Sequence, residues 1–415
     1  MIQSFRCSNF RSFKDEASLS LEPIPAFHEF PGNIFQDGAF RVLGQAAIYG
    51  ANASGKSNVV KAIGFMRNFV LISSRLGSVD AIPVEPFLLH PESGVRPSLF
   101  EVAFIHEGVS FRYGFCVSRN VVEEEWLYRS EAPRRKDRLC FERQAGNIQY
   151  GPGIPTAGRK AVNAATLLPN ALLLPRLDQN NVETAKTVMR FFSGLVVLSG
   201  SNDERFENYT SQALSQTDSR GALLEIIRLA DRTISDVGID RKTISVGALP
   251  PPVRAALPSR LAEAENLDQT NVKMIRPDTA GTPVSFDMDG QESEGTAKLF
   301  HLSGPFHDIL QNGRTAVVDE LEAKLHPHLV AKILSLFQSR ETNPRNAQLV
   351  FVTHDTHLLS FGNLRRDQVW FCEKDASGAS DFYSLAEMKG VQVRKEANLE
   401  RQYIRGRYGA IPFFA

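Results

Sequence analysis

Cysteine is scarce in this chain of 415 residues: Cys7, Cys116, Cys140 and Cys372 are its 4 cysteines. None forms a C-x-x-C pair and none lies at metal-ligand spacing. A disulfide framework and a cysteine-based zinc site are therefore not what organises the fold, and a reduced, cytoplasmic setting is expected. Net charge is absent too, because 47 Lys and Arg balance 47 Asp and Glu. Constitutive nucleic-acid binding draws on excess cations that neutralise phosphates. Contact with nucleic acid is thus unsupported by charge, although a local basic patch remains open. No run approaches 18 apolar residues, and Met1 to Phe13 lacks the apolar stretch of a secretory leader, so no membrane span is expected. Internal repeats and low-complexity tracts are missing as well. What is present is 42% hydrophobic residues, enough for one large core or two smaller ones.

The hydrophobic period changes along the chain. The first ten residues, with Ile2 and Phe5, read as a strand, with Ser18–Leu21 as its antiparallel partner. Val42–Tyr49 is an apolar run that reads as a buried strand, and residues 59, 63, 66 and 70 mark a helix across 58–75. From Leu99 the period is two. Leu99–Ile105, Phe111–Val117 and Val121–Tyr128 are expected strands, and Gly146-Asn147 turns a hairpin between Leu139–Phe141 and Ile148–Tyr150. A shift near Gly151 opens a block expected to be mostly helical, with Gly221–Arg232 its clearest helix and the proline-rich Pro250–Pro258 a break. After Val284 an α/β alternation returns: strand Thr315–Val318, helix Pro327–Gln338, strands Gln348–Thr353 and Val369–Glu373. Such alternation argues for a parallel sheet covered by helices. The expected division is 1–150, 151–283 and 284–415.

Gly50-Ala-Asn-Ala-Ser-Gly55-Lys56-Ser57 matches G-x-x-x-x-G-K-[ST], between an expected strand and an expected helix. Glycines let the backbone wrap phosphates, and the helix N-terminus favours their charge. Lys56 is expected to reach the β and γ phosphates and Ser57 to ligate Mg²⁺. Asn52, Ala53, Ser54, Gly55 and Asn58 are expected to complete the nucleotide cradle. Thr315-Ala-Val-Val-Asp319-Glu320 is an apolar strand ending in an acidic pair, the arrangement in which Asp319 holds Mg²⁺ and Glu320 polarises the attacking water. His354 ends the next strand, where it can face a γ-phosphate. Ser293 and Gly295 stand at a helix start, where an oxygen and amides can meet a phosphate or simply cap the helix. Glu123-Glu124-Glu125 reads as a solvated strand edge. Arg134, Arg135, Lys136, Arg138 and Arg143 read as a modest basic cluster, a solvated loop before a nucleic-acid contact. His326 and His328 are two apart and share no helix face, which argues against a metal pair.

Four motifs in this order resemble an ABC-type ATPase head, as in SMC and double-strand-break-repair ATPases. Asn9-Phe10-Arg11-Ser12-Phe13 is similar to the N-F-R-S segment of those heads. Leu321-Glu322-Ala-Lys-Leu325-His326-Pro327 and Arg405-Gly-Arg-Tyr-Gly-Ala-Ile-Pro412 resemble segments of bacterial AAA-type proteins related to the overcoming-lysogenization-defect (OLD) ATPases, including abortive-infection ATPases of the AbiL and RloA kind. The resemblance implies an α/β P-loop head with a mixed sheet, an antiparallel lobe and an insertion, with ATP and Mg²⁺ as ligands. It implies that Arg11 and Ser12 lie near the phosphates. Glu320 would be the general base, His354 a phosphate sensor, and Ser293 and Gly295 would contact ATP held by a second copy. An ATP-dependent homodimer and a protein effector encoded nearby are the implied partners, with anti-phage defence as the implied setting. Two departures stand out: Glu294 interrupts the expected Ser-Gly-Gly, and Pro83–His90 holds no Q-loop glutamine. The alternative is a DNA-repair or DNA-clamp ATPase. That reading calls for a long coiled-coil arm, and 151–280 lacks sustained heptads. A nuclease fusion would need an acidic domain after the head, for which a chain ending at Ala415 is expected to leave no room.

Overall fold

In the computed structural model, which describes residues 1–132, 136–144, 146–163, 165–248, 250–256, 266–361, 363–388 and 399–411, the period-two segments pair as antiparallel strands. They are β1 (Ile2–Ser8), β2 (Ala17–Ser20), then, after the short hairpin β3 (Ile34–Asp37) and β4 (Phe40–Leu43) and the strand β5 (Gln45–Tyr49), β6 (Ser98–His106), β7 (Val109–Val117), β8 (Val122–Ser130), β9 (Arg138–Gln144) and β10 (Asn147–Tyr150). The resulting sheet runs β10-β9-β8-β7-β6-β1-β2. Its inward face is aromatic. Phe100 stands opposite Phe115, Val102 opposite Tyr113 and Phe104 opposite Phe111, all buried. Such cross-strand pairs are the unit of sheet stability.

Helix α1 (Lys56–Ile72) buries Val59, Val60, Ile63, Met66, Phe69 and Val70, and these side chains join the same core. Ile154 and Val162, on either side of helix α2 (Thr156–Ala161), join it too, as do the helices α3 (Leu173–Gln179) and α4 (Glu183–Gly194) through Leu173, Leu174, Leu177, Val188 and Phe192. On α4, Phe191 stacks on Phe104 with centroids 3.7 Å apart. Composition changes at Gly151, but the packing does not. Residues 151–201 belong with the head rather than with an insertion, because their leucines and phenylalanines complete its core.

The second sheet holds the expected α/β alternation. Strand β11 (Leu195–Ser199) opens it. Strands β12 (Asp236–Ser245), β13 (Asn266–Pro277) and β14 (Pro283–Asp287) form an antiparallel sheet of their own. Then β15 (Thr315–Asp319), β16 (Gln348–Val352), β17 (Val369–Lys374) and β18 (Ser380–Ser384) return to the second sheet, whose order is β11-β15-β16-β5-β17-β18. All its neighbours are parallel except the β17–β18 pair. Strand β5 is buried at every position, as a strand covered on both faces must be. The run expected as one strand, Val42–Tyr49, is two strands in two sheets. The break is Gly44, where an added Cβ would lie 2.4 Å from the Phe35 ring.

The chain divides into two compact units. One is Met1–Ser201, Ile309–Ala323 and Ile333–Ala415; the other is Asn202–Asp308 with Lys324–Lys332. The second unit holds the three-stranded sheet beside the helices α5 (Glu207–Leu214) and α6 (Thr217–Ile227). Leu214, Leu223, Ile227, Val237, Val272, Met274 and Phe300 form its core. Helices outweigh strands across 151–283, as expected, but the three-stranded sheet was not foreseen: β12 is largely solvent-facing, so little hydrophobic alternation betrays it. The expected break at 250–258 contains a short helix, α7 (Pro251–Ala256), while Pro258 lies outside the described residues.

Two surface assignments change. Glu125 is not part of a solvated edge. It is 0% exposed and accepts hydrogen bonds from the Tyr113 hydroxyl at 2.9 Å and from the amides of Leu173 and Leu174 at 2.6 and 3.0 Å. Arg143 is likewise buried, 3.9 Å from Glu125, and donates to the Ala171 carbonyl at 2.6 Å. It therefore leaves the basic cluster, of which Arg134 and Arg135 lie outside the described residues. Among the described residues no helix is long and apolar enough to cross a membrane, and none exceeds the 19 residues of Glu294–Asn312.

Candidate functional site

Three loops leave the C-terminal ends of adjacent parallel strands, the edge at which ligands bind in open α/β sheets. In spatial order β15, β16 and β5 deliver Asp319-Glu320, His354 and the Gly50–Ser57 loop. The loop is built around two glycines. At Gly50 (φ 154°) a Cβ would lie 2.2 Å from the Cys372 carbonyl oxygen. At Gly55 (φ 112°) it would lie 2.2 Å from Ser380 Oγ and 2.6 Å from Ser12 Oγ. Ala53 adopts φ 62°, a left-handed turn that aims successive amides into one cradle.

Lys56 is buried and donates to the carbonyls of Gly50 and Ala51, both at 2.7 Å. Burial pushes its ammonium below the ordinary lysine value, opposed by acidic groups that include Asp319, Glu322 and Glu320. Ser57 Oγ donates to Asp319 Oδ1 at 3.0 Å. The two expected Mg²⁺ ligands, 262 positions apart in sequence, thus already face each other. Burial pushes the Asp319 carboxyl upward against the Ser57 bond, and the charge of Glu320 adds to the rise. A carboxylate held this way is suited to a cation, and the hydroxyl–carboxylate pair fits Mg²⁺, which prefers few protein oxygens. Glu320 occupies a left-handed backbone position at φ 53°. The His354 imidazole is held below its ordinary value by burial and by the charge of Lys56, which keeps it neutral near pH 7.

Ser12 joins this group directly. Its Oγ accepts from Asn58 Nδ2 at 2.7 Å and lies within hydrogen-bond distance of Ser380 Oγ, at 2.8 Å. Arg11, at φ 51°, instead pairs with Glu85 at 2.6 Å. Three residues escaped the sequence reading. Ser380 Oγ and Cys372 Sγ both donate to the Ser54 carbonyl, at 2.6 and 3.2 Å, so β17 and β18 brace the loop from behind. Burial pushes the Cys372 thiol up to about 11, so it stays a donor. The third is Glu322, whose Oε1 accepts the His354 amide at 2.5 Å. In the sequence it stood in the family-like segment Leu321–Pro327, two residues after the acidic pair, with no role assigned to it.

Ser293 and Gly295 belong to the other unit. Ser293 is exposed and caps the helix Glu294–Asn312: its Oγ accepts the Thr296 amide at 3.1 Å. A Cβ at Gly295 would lie 3.3 Å from the Lys324 carbonyl oxygen. The preceding Glu292 is pinned by Arg276, which also pairs with Asp231 at 2.9 Å. Glu294 projects into solvent, 3.8 Å from Lys324 Nζ, clear of the cap. The tail segment packs inside its unit: Tyr403 donates to the Ala410 carbonyl and stacks on Phe371, while Pro412 lies outside the described residues.

A family described as "AAA domain, putative AbiEii toxin, Type IV TA system" matches residues 46–360. The chain belongs to that family. The match runs from the strand before the phosphate loop to beyond His354; Arg11 and Ser12 precede it, and Cys372 and Ser380 follow it. Among solved structures, the chain is similar to an SMC head domain from Thermotoga maritima (13% identity, 92% of this chain and 98% of that one, TM-score 0.42). It is also similar to an SmcHead bound to the C-winged helix domain of ScpA (12%, 93% and 98%, TM-score 0.43). A third is an Smc head domain with an extended coiled coil bound to the C-terminal domain of ScpA derived from Pyrococcus furiosus (11%, 92% and 96%, TM-score 0.39). No curated protein matches.

Proposed function

We propose that the AAA domain binds ATP with Mg²⁺ and hydrolyses it, and that two copies close around the nucleotide. The observation that carries this reading is the meeting of Ser57 with Asp319 beside Lys56, Glu320 and His354 at one sheet edge. The glycine loop and the start of α1 take the phosphates, and Lys56 turns from its own carbonyls to the β and γ oxygens. Ser57 and Asp319 would hold Mg²⁺, which would supply charge neutralisation at the terminal phosphoryl group. Glu320 accepts the proton of the attacking water, and neutral His354 donates to a γ-phosphate oxygen. Ser12 and Asn58 steady the cradle, with Arg11 beside them. Ser293 and Gly295 of a second copy present a hydroxyl and amides to the same γ-phosphate.

In this reading ATP acts as glue, and loss of the γ-phosphate loosens the pair, a ligand-driven population shift. The output is control of a protein effector in the setting of anti-phage defence, within the OLD-related, abortive-infection branch of the family. Resemblance of the post-acidic and tail segments supports that branch, and it is an argument by analogy. The test is Glu320→Gln. We expect ATP affinity to be kept, hydrolysis to fall about 10²- to 10⁴-fold, and an ATP-bound dimer to accumulate in sedimentation. Turnover at the parent rate would remove Glu320 as base.

A further inference from the structure

Glu322 has no place in the roles above, yet its surroundings are specific. It follows Glu320 by two residues, in the loop that leaves β15. Its Oε1 accepts the backbone amide of His354 at 2.5 Å, a charge-assisted bond of the strong kind. Beside it, the Leu321 amide donates to the Val352 carbonyl at 3.3 Å. The two loops that carry the acid pair and the histidine are therefore tied twice.

The second carboxylate oxygen, Oε2, is buried without a hydrogen-bond partner among the described residues, as are Asp355 Oδ2 and the Tyr49 hydroxyl. Tyr49 is 0% exposed and is the last residue of β5, directly before Gly50. Burial, then the charges of Asp355 and Glu322, push its phenol well above the ordinary tyrosine value, so it stays protonated. Buried polar groups without full pairing cost free energy that packing alone would not select. The Glu322 bond to the His354 amide, with the Leu321–Val352 bond beside it, holds the loops after β15 and β16 in register. Glu320 needs such a hold, because a non-glycine residue at φ 53° sits in an uncommon backbone region.

We propose that Glu322 is a positioning residue for hydrolysis, clamping the His354 loop to the Glu320 turn so that base and histidine address one phosphate in fixed geometry. The clamp needs an acceptor at the right reach and no particular charge. This inference rests on the hydrolytic reading of Glu320 and His354.

The test is a series at one position, measured as kcat, KM and melting temperature for MgATP hydrolysis by the full chain. Glu322→Gln keeps the reach and an acceptor oxygen, and should retain kcat within about threefold of the parent. Glu322→Ala removes the clamp, and Glu322→Asp keeps the charge but is one methylene short. Both should lose about 10- to 100-fold in kcat at unchanged KM, the scale of a small misplacement of reacting groups. Parental kcat in Glu322→Asp overturns the proposal. So does a fall in Glu322→Gln equal to that in Glu322→Ala, or a loss of kcat that is matched by lost nucleotide affinity and melting temperature. Should Glu322→Ala fail to fold, the Asp and Gln variants decide alone. Glu320→Gln and His354→Ala serve as controls. If both hydrolyse ATP at the parent rate, the hydrolytic reading has failed; if both are impaired while Glu322→Asp is not, only the clamp has.

Discussion

Lys56 spends its charge on its own loop, donating to Gly50 and Ala51. Phosphate oxygens would replace two neutral acceptors with charged ones, and hydrogen bonds to charged groups are worth about 1.5–3 kcal/mol. Lys56→Ala should therefore bind ATP about ten- to hundredfold more weakly by calorimetry; unchanged affinity would sink the phosphate-loop assignment. At this scale much was legible in the sequence. Gly50, Gly55, Lys56 and Ser57 are spaced by what a phosphate needs, and the acidic pair and His354 each close an apolar run. What escaped was whatever depends on a neighbour distant in sequence. Ser380 and Cys372 hold the Ser54 carbonyl across more than 300 positions. Glu125 looked like one of three surface glutamates because burial of its strand face is decided by α3, which no local pattern announces.

That glutamate governs an element. Helix α3 has no side-chain cap from its own N-cap residue, Leu172; its first amides, of Leu173 and Leu174, are instead received by Glu125 from β8. Burial pushes the Glu125 carboxyl upward, against the pull of Arg143, both amides and Tyr113. Glu125→Ala would leave two amides and the Arg143 charge buried without their partner. We expect a loss of about 3–5 kcal/mol, read from denaturant midpoints, with Glu125→Gln losing less because it keeps an acceptor. A loss within 0.5 kcal/mol for the alanine variant, the range of ordinary surface substitutions, would contradict this account. Elements were legible in proportion to their periodicity. The strands from Leu99 onward and the α/β alternation after 315 stand where the pattern put them. The sheet β12-β13-β14 was hidden because solvent-facing strands carry little hydrophobic period.

In the proposed reading the γ-phosphate contacts come in two parts, the sheet edge of one copy and the exposed Ser293 cap of another. If the cap serves a second copy, a long cation there should block pairing without touching nucleotide affinity. Ser293→Arg combined with Glu320→Gln should bind ATP as the single variant does and dimerise at least about tenfold more weakly by sedimentation, beyond a cap loss of about 1 kcal/mol. Equal dimerisation would remove the composite site. The central strand carries a consequence of another kind, for the order of synthesis. Strand β5 and its phosphate loop leave the ribosome among the first 60 residues, yet both neighbours of β5 in the sheet, β16 and β17, lie beyond residue 347. Throughout translation the loop exists without the strands that shape it, since domains fold as units once their parts are present. A nascent chain halted before β17 would carry the whole Gly50–Ser57 sequence and still lack the brace that makes it a site. If the loop takes nucleotide as proposed, capture becomes possible only once β16, β17 and β18 have been made.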